Sequence, residues 1–162
     1  MLKSLDKLPA GKGSLSDLVG QSSFVRMFKP QFAPLVESGI KLQTVRPTPK
    51  RMPRAGDRIS LRSWTGNPYR SKQRVLREAT IEWVGRIMLF TDHGEERIML
   101  DGLRCTAAAA ERFARADGFP NSAKMFEWFV DNHGPLPFRG ISICWSNAPS
   151  DRMAGADAGG PK

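Results

Sequence analysis

Cysteine is scarce in this sequence: Cys105 and Cys144 are the only two. That excludes the disulfide framework of a small secreted scaffold. Their neighbours Leu103 and Ile143 suggest strand-like, apolar settings, so both are expected as reduced core thiols. Histidine is equally sparse, and neither His93 nor His133 lies at ligand spacing from a cysteine. No metal site is expected. No P-loop, Rossmann glycine fingerprint, Gly-x-Ser-x-Gly elbow or His-Glu-x-x-His occurs, so no cofactor is expected. No apolar run approaches the roughly 20 residues that a bilayer crossing needs. Met1 to Gly20 alternates Lys, Asp, Leu and Gly without the apolar core of a secretory signal, and the chain is therefore expected in the cytoplasm.

Acidic residues are also in short supply, and their distribution matters more than their number. The 162 residues carry a net charge of +9. Between Lys41 and Arg77 stand eleven Lys or Arg against the single acid Asp57, a local +10 that leaves the rest near neutral. A concentrated patch points to a polyanionic partner, RNA first, with DNA as a competitor, whereas a generally basic composition would point only to solubility.

With 40% apolar residues, the chain fits one domain. Residues 1–23 are rich in Gly, Ser and Lys and are expected as a flexible arm. Residues 147–162 are rich in Pro, Ser, Asp, Ala and Gly and are expected as a disordered tail. The folded unit is placed at 24–146. Phe32, Leu35 and Val36 recur at helical spacing, with Gly39 at the helix end. Leu42–Arg46 alternates like a strand, and the three prolines of 47–53 mark a loop. Arg58–Trp64 reads as a half-buried strand with Arg58, Ser60 and Arg62 on a cationic outer face. Val75–Phe90 and Arg97–Leu103 are strand-like around a turn at His93-Gly94. Ala107–Asp117 is an alanine-rich helix ended by Gly118, a second helix is capped by Asn121 or Ser122, and Gly140–Trp145 is a last strand. This order predicts an α+β fold, a small β-barrel flanked by helices, since closing the sheet removes exposed edges.

The chemistry-bearing candidate is the polar cluster after the first helix. With 43–46 extended, Thr44 and Arg46 share a face, and Lys41 sits at the turn leading into it. Such a cluster binds phosphate or a base through Lys41 and Arg46, with the Thr44 hydroxyl as donor and acceptor. A lysine crowded by cations also has its charged form disfavoured, which makes the amine available as a base or nucleophile. An exposed cation beside a strand threonine is the alternative.

The run Gly39-Ile40-Lys41-Leu42-Gln43-Thr44-Val45-Arg46 followed by Gly56-Asp57 resembles the signature of ASCH domains, as found in small bacterial and phage proteins. The resemblance extends from Phe28 to Trp145 and takes in Asp117-Gly118-Phe119 and the returning last strand. It implies a PUA-like β-barrel associated with RNA. Members are regarded as RNA-binding modules, some have ribonuclease activity, and some hydrolyse acetylated cytidine. For the amidohydrolase members it implies a nucleophilic lysine at Lys41, a threonine at Thr44 and a carboxylate at Asp117, where the pattern has Glu. Asp is one methylene shorter, and a misplacement of about 1 Å can cost about a hundredfold in rate. A carboxylate in the last turn of a helix also opposes the macrodipole, which favours its protonated form.

The expected site therefore has two parts. Lys41, Thr44 and Asp117 are the catalytic candidates. Arg46, Lys50, Arg51, Arg54, Arg58, Arg62, Arg70, Lys72 and Arg74, with Trp64 and Tyr69 for base stacking, are the nucleic-acid-binding candidates. Trp64 fits core packing equally well, and Trp83, Trp128 and Trp145 are expected as packing residues. The loop 65–69 is the expected rim of the pocket. A nucleoside ligand follows from the hydrolase alternative. A protein partner follows from a third reading, a small phage-like effector docking its basic face on an acidic protein.

Overall fold

The computed structural model describes residue 20 and residues 22–145. Most of the expected arm and all of the expected tail, 147–162, lie outside them. The described chain is α+β: seven strands in one mixed sheet, β1 (Ser23–Phe28), β2 (Gln43–Pro47), β3 (Arg58–Trp64), β4 (Gln73–Asp92), β5 (Glu95–Leu100), β6 (Leu103–Arg104) and β7 (Phe138–Trp145), with helices α1 (Ala33–Glu37), α2 (Ala107–Ala116) and α3 (Ser122–His133). None of the described helices is long and apolar enough to cross a membrane.

The long strand β4 organises the sheet. Its first part pairs antiparallel with β3 up to Thr80, Ile81–Leu89 pair with β7, and Ile87–Asp92 pair with β5. Register skips Leu76 and Glu82. Each bulge adds local twist and bend, so one strand turns from one half of the sheet into the other. β1 lies parallel to β3, and β2 lies antiparallel to β7. β1 and β2 are thus two ends of the described pairing, and no ladder joins them.

Sequence periodicity does not signal β1. Phe24 and Phe28 are buried, but Arg26 and Met27 between them are both half-buried, so the two-residue alternation is lost. The strand exists through tertiary bonds: its parallel ladder to β3 and Asp57, whose carboxylate accepts the Ser22 and Arg54 amides at 3.1 and 2.8 Å.

The core joins Phe28, Ile59, Leu61, Ile81, Ile141, Ile143 and Trp145 of the strands to Val36, Phe113, Met125, Phe126 and Phe129 of the helices. Trp145 is fully buried, as expected. Trp83 is not a core residue: it is 39% exposed, and its ring lies over Gly85, where a Cβ would stand 2.1 Å from it. Cys144 is half-buried in β7, while Cys105 is half-buried in the link from β6 to α2 rather than in a strand. Asn121, not Ser122, caps α3, accepting the Lys124 amide at 2.9 Å.

Two glycines are dictated by what passes them. Gly118 has φ +89°, and a Cβ there would meet the Lys41 side chain at 3.2 Å. Gly140 lets the end of β2 approach, the Arg46 carbonyl standing 2.1 Å from where its Cβ would be.

Candidate functional site

The site is built on the C-terminus of α2. A helix end leaves its last carbonyls without intrahelical donors. Here the Phe119 amide donates to the Ala114 carbonyl at 2.9 Å and the Gly118 amide to the Arg115 carbonyl at 3.0 Å, the Schellman arrangement that a glycine in the left-handed region permits. The next two carbonyls are met from the distant Gly39–Arg46 stretch. The Leu42 amide donates to the Ala116 carbonyl at 2.9 Å, and the Lys41 ammonium donates to that of Asp117. Lys41 thus sits at the negative end of the helix dipole.

The Lys41 Nζ also lies 2.9 Å from Asp117 Oδ1, and both side chains are 3% exposed. Its other neighbours are aromatic, with Nζ 4.9 Å from the Phe32 ring centre and 5.8 Å from that of Phe28, within cation–π range. Burial is the largest influence on each partner. It pushes the Lys41 amine below the usual lysine range, with Asp117 opposing and Arg46 adding to the shift. It pushes the Asp117 carboxyl up against the opposing charges of Lys41 and Arg46. Burial therefore acts against the charged form of both members, and their mutual attraction acts for it. Asp117 is therefore neither solvent-facing nor raised chiefly by the macrodipole: it is the C-cap residue of α2, and loss of water governs it.

Thr44 and Arg46 share a face as the alternation predicts. Arg46 Nε donates to Thr44 Oγ1 at 3.2 Å, and Nη2 donates to the Met27 carbonyl of β1 at 2.7 Å. The guanidinium lies 5.2 Å from the Phe28 ring centre. Arg46 accordingly spans the gap between β1 and β2 and is half-buried.

These groups line a pocket of about 90 Å³ closed by Phe28, Phe32, Phe119, Trp128, Phe129 and His133. A second cleft, about 240 Å³, shares Met27, Phe28 and Lys29 with it and continues to Pro30, Trp64, Gly66 and Pro68. The loop after β3 is therefore the rim the sequence suggests. Trp64 is half-buried, and Tyr69, 90% exposed with φ +63°, leans over it at 5.3 Å between ring centres. Periodicity does not reveal Phe28, Lys29, Trp128 or His133 as site residues. Trp128 lies across the pocket from the lysine rather than wholly in the core, with Lys29 Nζ 5.2 Å over its ring. Burial first, then Arg46 and Lys29, push the His133 imidazole below its usual range.

The remaining cations divide. Lys50, Arg51, Arg54, Arg58, Arg70 and Lys72 are exposed, and none of them forms an ion pair among the described residues. Arg51 lies over the Phe24 ring at 4.7 Å. Arg62 is tied to Ser60 and Gln73 at 2.8 and 3.1 Å, and Ser60, expected on the outer face, is buried against Glu78. Arg74 is paired with Glu37. Comparison with protein-family models, with curated proteins and with solved structures finds no match to this chain.

Proposed function

We propose that the chain is an ASCH-type, PUA-like domain that acts on RNA in the cytoplasm, gripping phosphates with its exposed cations and presenting an unpaired nucleoside to the Lys41 pocket. The carrying observation is the contrast inside one segment: exposed cations on the surface, and a lysine sealed against a carboxylate beneath it. In the barrel reading, β1 and β2 are the two lips of a seam, Arg46 is the clasp between them, and the pocket lies at the barrel mouth. Tyr69 and Trp64 supply the aromatic faces on which unstacked bases rest. The test is binding of a single-stranded RNA measured across salt concentrations. A steep loss of affinity with salt supports the reading, and salt-independent binding opposes it.

A second reading, hydrolysis of an acylated nucleoside, is favoured by the buried contact of Lys41 Nζ with Asp117 Oδ1 at 2.9 Å, a proton donor and acceptor held away from water at the pocket wall, which suits proton transfer. The inner pocket is smaller than the roughly 300–1,000 Å³ of ordinary ligand sites. It suits the acyl end, with the sugar in the adjoining cleft. In this mechanism the Lys41 amine takes a proton from a water that attacks the acyl carbon. The proton passes through the pair to the exocyclic nitrogen as the amide C–N bond breaks, and Thr44 orients the carbonyl. Acetate release from acetylated cytidine, falling at least about a hundredfold in Lys41→Ala, is the expected result. Unchanged turnover in that variant would remove the mechanism while leaving RNA binding untouched.

A further inference from the structure

A groove of about 450 Å³ between β4, β5, β7 and the loop after β2 is larger than the Lys41 pocket and shares no lining residue with it. Its volume falls in the range of small-molecule sites, roughly 300–1,000 Å³. Strand register gives its construction. Met88 of β4 stands opposite Met99 of β5 and Arg139 of β7, and Arg86 stands opposite Ile141. Directly opposed residues share a face, so Met88, Met99 and the buried Ile141 form a floor bounded by Arg86 and Arg139. Met52 and Thr48 close it from the loop.

Arg86 and Arg139 are diagonal neighbours across one ladder, roughly 7–8 Å apart at the backbone. Both are exposed, and neither side chain forms an ion pair among the described residues. The Asp101 carboxylate accepts the backbone amide of Arg86 at 2.7 Å, and Arg86 lines the groove. Two guanidiniums on one sheet face repel until an anion lies between them, and their forked donors match phosphate oxygens. The floor beside them is rich in methionine, whose flexible thioethers pack favourably against aromatic rings.

From this juxtaposition we infer that the groove is a nucleotide site, with the phosphate between Arg86 and Arg139 and the base on Met52, Met88 and Met99. The site stands on its own residues, none of which belongs to the Lys41–Asp117 pocket. Its ligand comes either as a free nucleotide or as one unit of an RNA strand.

Methionine methyl NMR tests this on the full chain, because Met27 reports the Lys41 pocket, Met125 the core, and Met52, Met88 and Met99 the groove. Titration with adenosine 5′-monophosphate or with a short oligoadenylate is expected to move the three groove methyls and leave Met125 in place. Response to the monophosphate assigns the free nucleotide, and response to the oligomer alone assigns the strand. Arg86→Gln with Arg139→Gln, both on exposed residues, is expected to weaken binding at least about tenfold, with the Met125 signal confirming an intact core. The inference is overturned if neither probe moves the groove methyls, if the double variant binds as tightly as the parent, or if inorganic phosphate or decanoate competes as well as the nucleotide. Movement of Met27 alone would leave the RNA reading standing and remove this one.

Discussion

Lys41 and the cations that follow it, from Lys50 to Lys72, belong to one basic segment yet occupy opposite electrostatic regimes. The ammonium of Lys41 has lost nearly all its water and relies on one carboxylate, one carbonyl and two aromatic faces. The others are exposed and keep their water, except Arg62, which is half-buried and tied to Ser60 and Gln73. In the first regime each charge is strongly coupled to its partner, and removing one member strands the other. In the second, individual charges contribute little to stability and are screened by salt, which leaves them available to a polyanion. Net charge, the same quantity in both regions, therefore serves two purposes.

The largest expected effect comes from breaking the buried pair. Asp117→Ala should lose about 3–5 kcal/mol of unfolding free energy by urea denaturation, because it leaves Lys41 without its counter-charge. The double change Lys41→Met with Asp117→Leu should recover most of that loss. Equal losses in the single and double variants would show that shape rather than charge governs the region. Gly118→Ala should cost about 1–2 kcal/mol, since a non-glycine residue is strained at φ +89° and its methyl crowds Lys41.

A smaller effect separates the regions by pH. The Lys41 pKa is lowered in the fold. Between that lowered value and the ordinary lysine pKa near ~10.4, the unfolded chain binds the extra proton, so stability should rise with pH. It should be lost again as pH falls through the folded value, and Lys41→Met should remove that slope. Asp117 has the opposite sign: its folded pKa is raised, so its contribution is present at the ordinary aspartate pKa, ~3.9, and declines as pH rises through the folded value. The smallest effect on the fold is expected from Arg54, Arg58, Arg70 and Lys72 replaced together by Ala. The unfolding midpoint should hold, while the slope of log affinity against log salt for single-stranded RNA falls by about 0.7 for each phosphate no longer neutralised. A shifted midpoint with an unchanged slope would erase the distinction between the two regions.

Much of the local structure was legible before folding was considered. Gly39 and Gly118 end their helices where the left-handed backbone requires them, Asn121 caps α3, and alternation marks β2 and β3. The motif and its resemblance name Lys41, Thr44 and Asp117 as candidates, but the contact of Lys41 with Asp117 is a tertiary one. What escaped were features that periodicity does not encode. β1 lacks alternation because it is completed by a parallel partner that pairs Ser23 with Arg58, far along the chain. Trp83 sits on an apolar strand but covers a glycine at the surface. Alternation puts Arg46 on the face of Thr44 but does not reveal its anchor: Met27, nineteen residues earlier, supplies the carbonyl that holds it.

The sequence by itself determined the element types, the helix ends and the concentration of charge, because propensity, capping and composition act over a few neighbouring residues. Tertiary structure alone decided which charges stay in water. Desolvation depends on what packs against a side chain, and what packs against Lys41 is a helix end seventy-six residues away. The same reasoning distinguishes the two members of each pair the sequence treats alike: Arg46 from Arg58, Trp83 from Trp145, and an aspartate before a glycine on a surface from Asp117 beneath one.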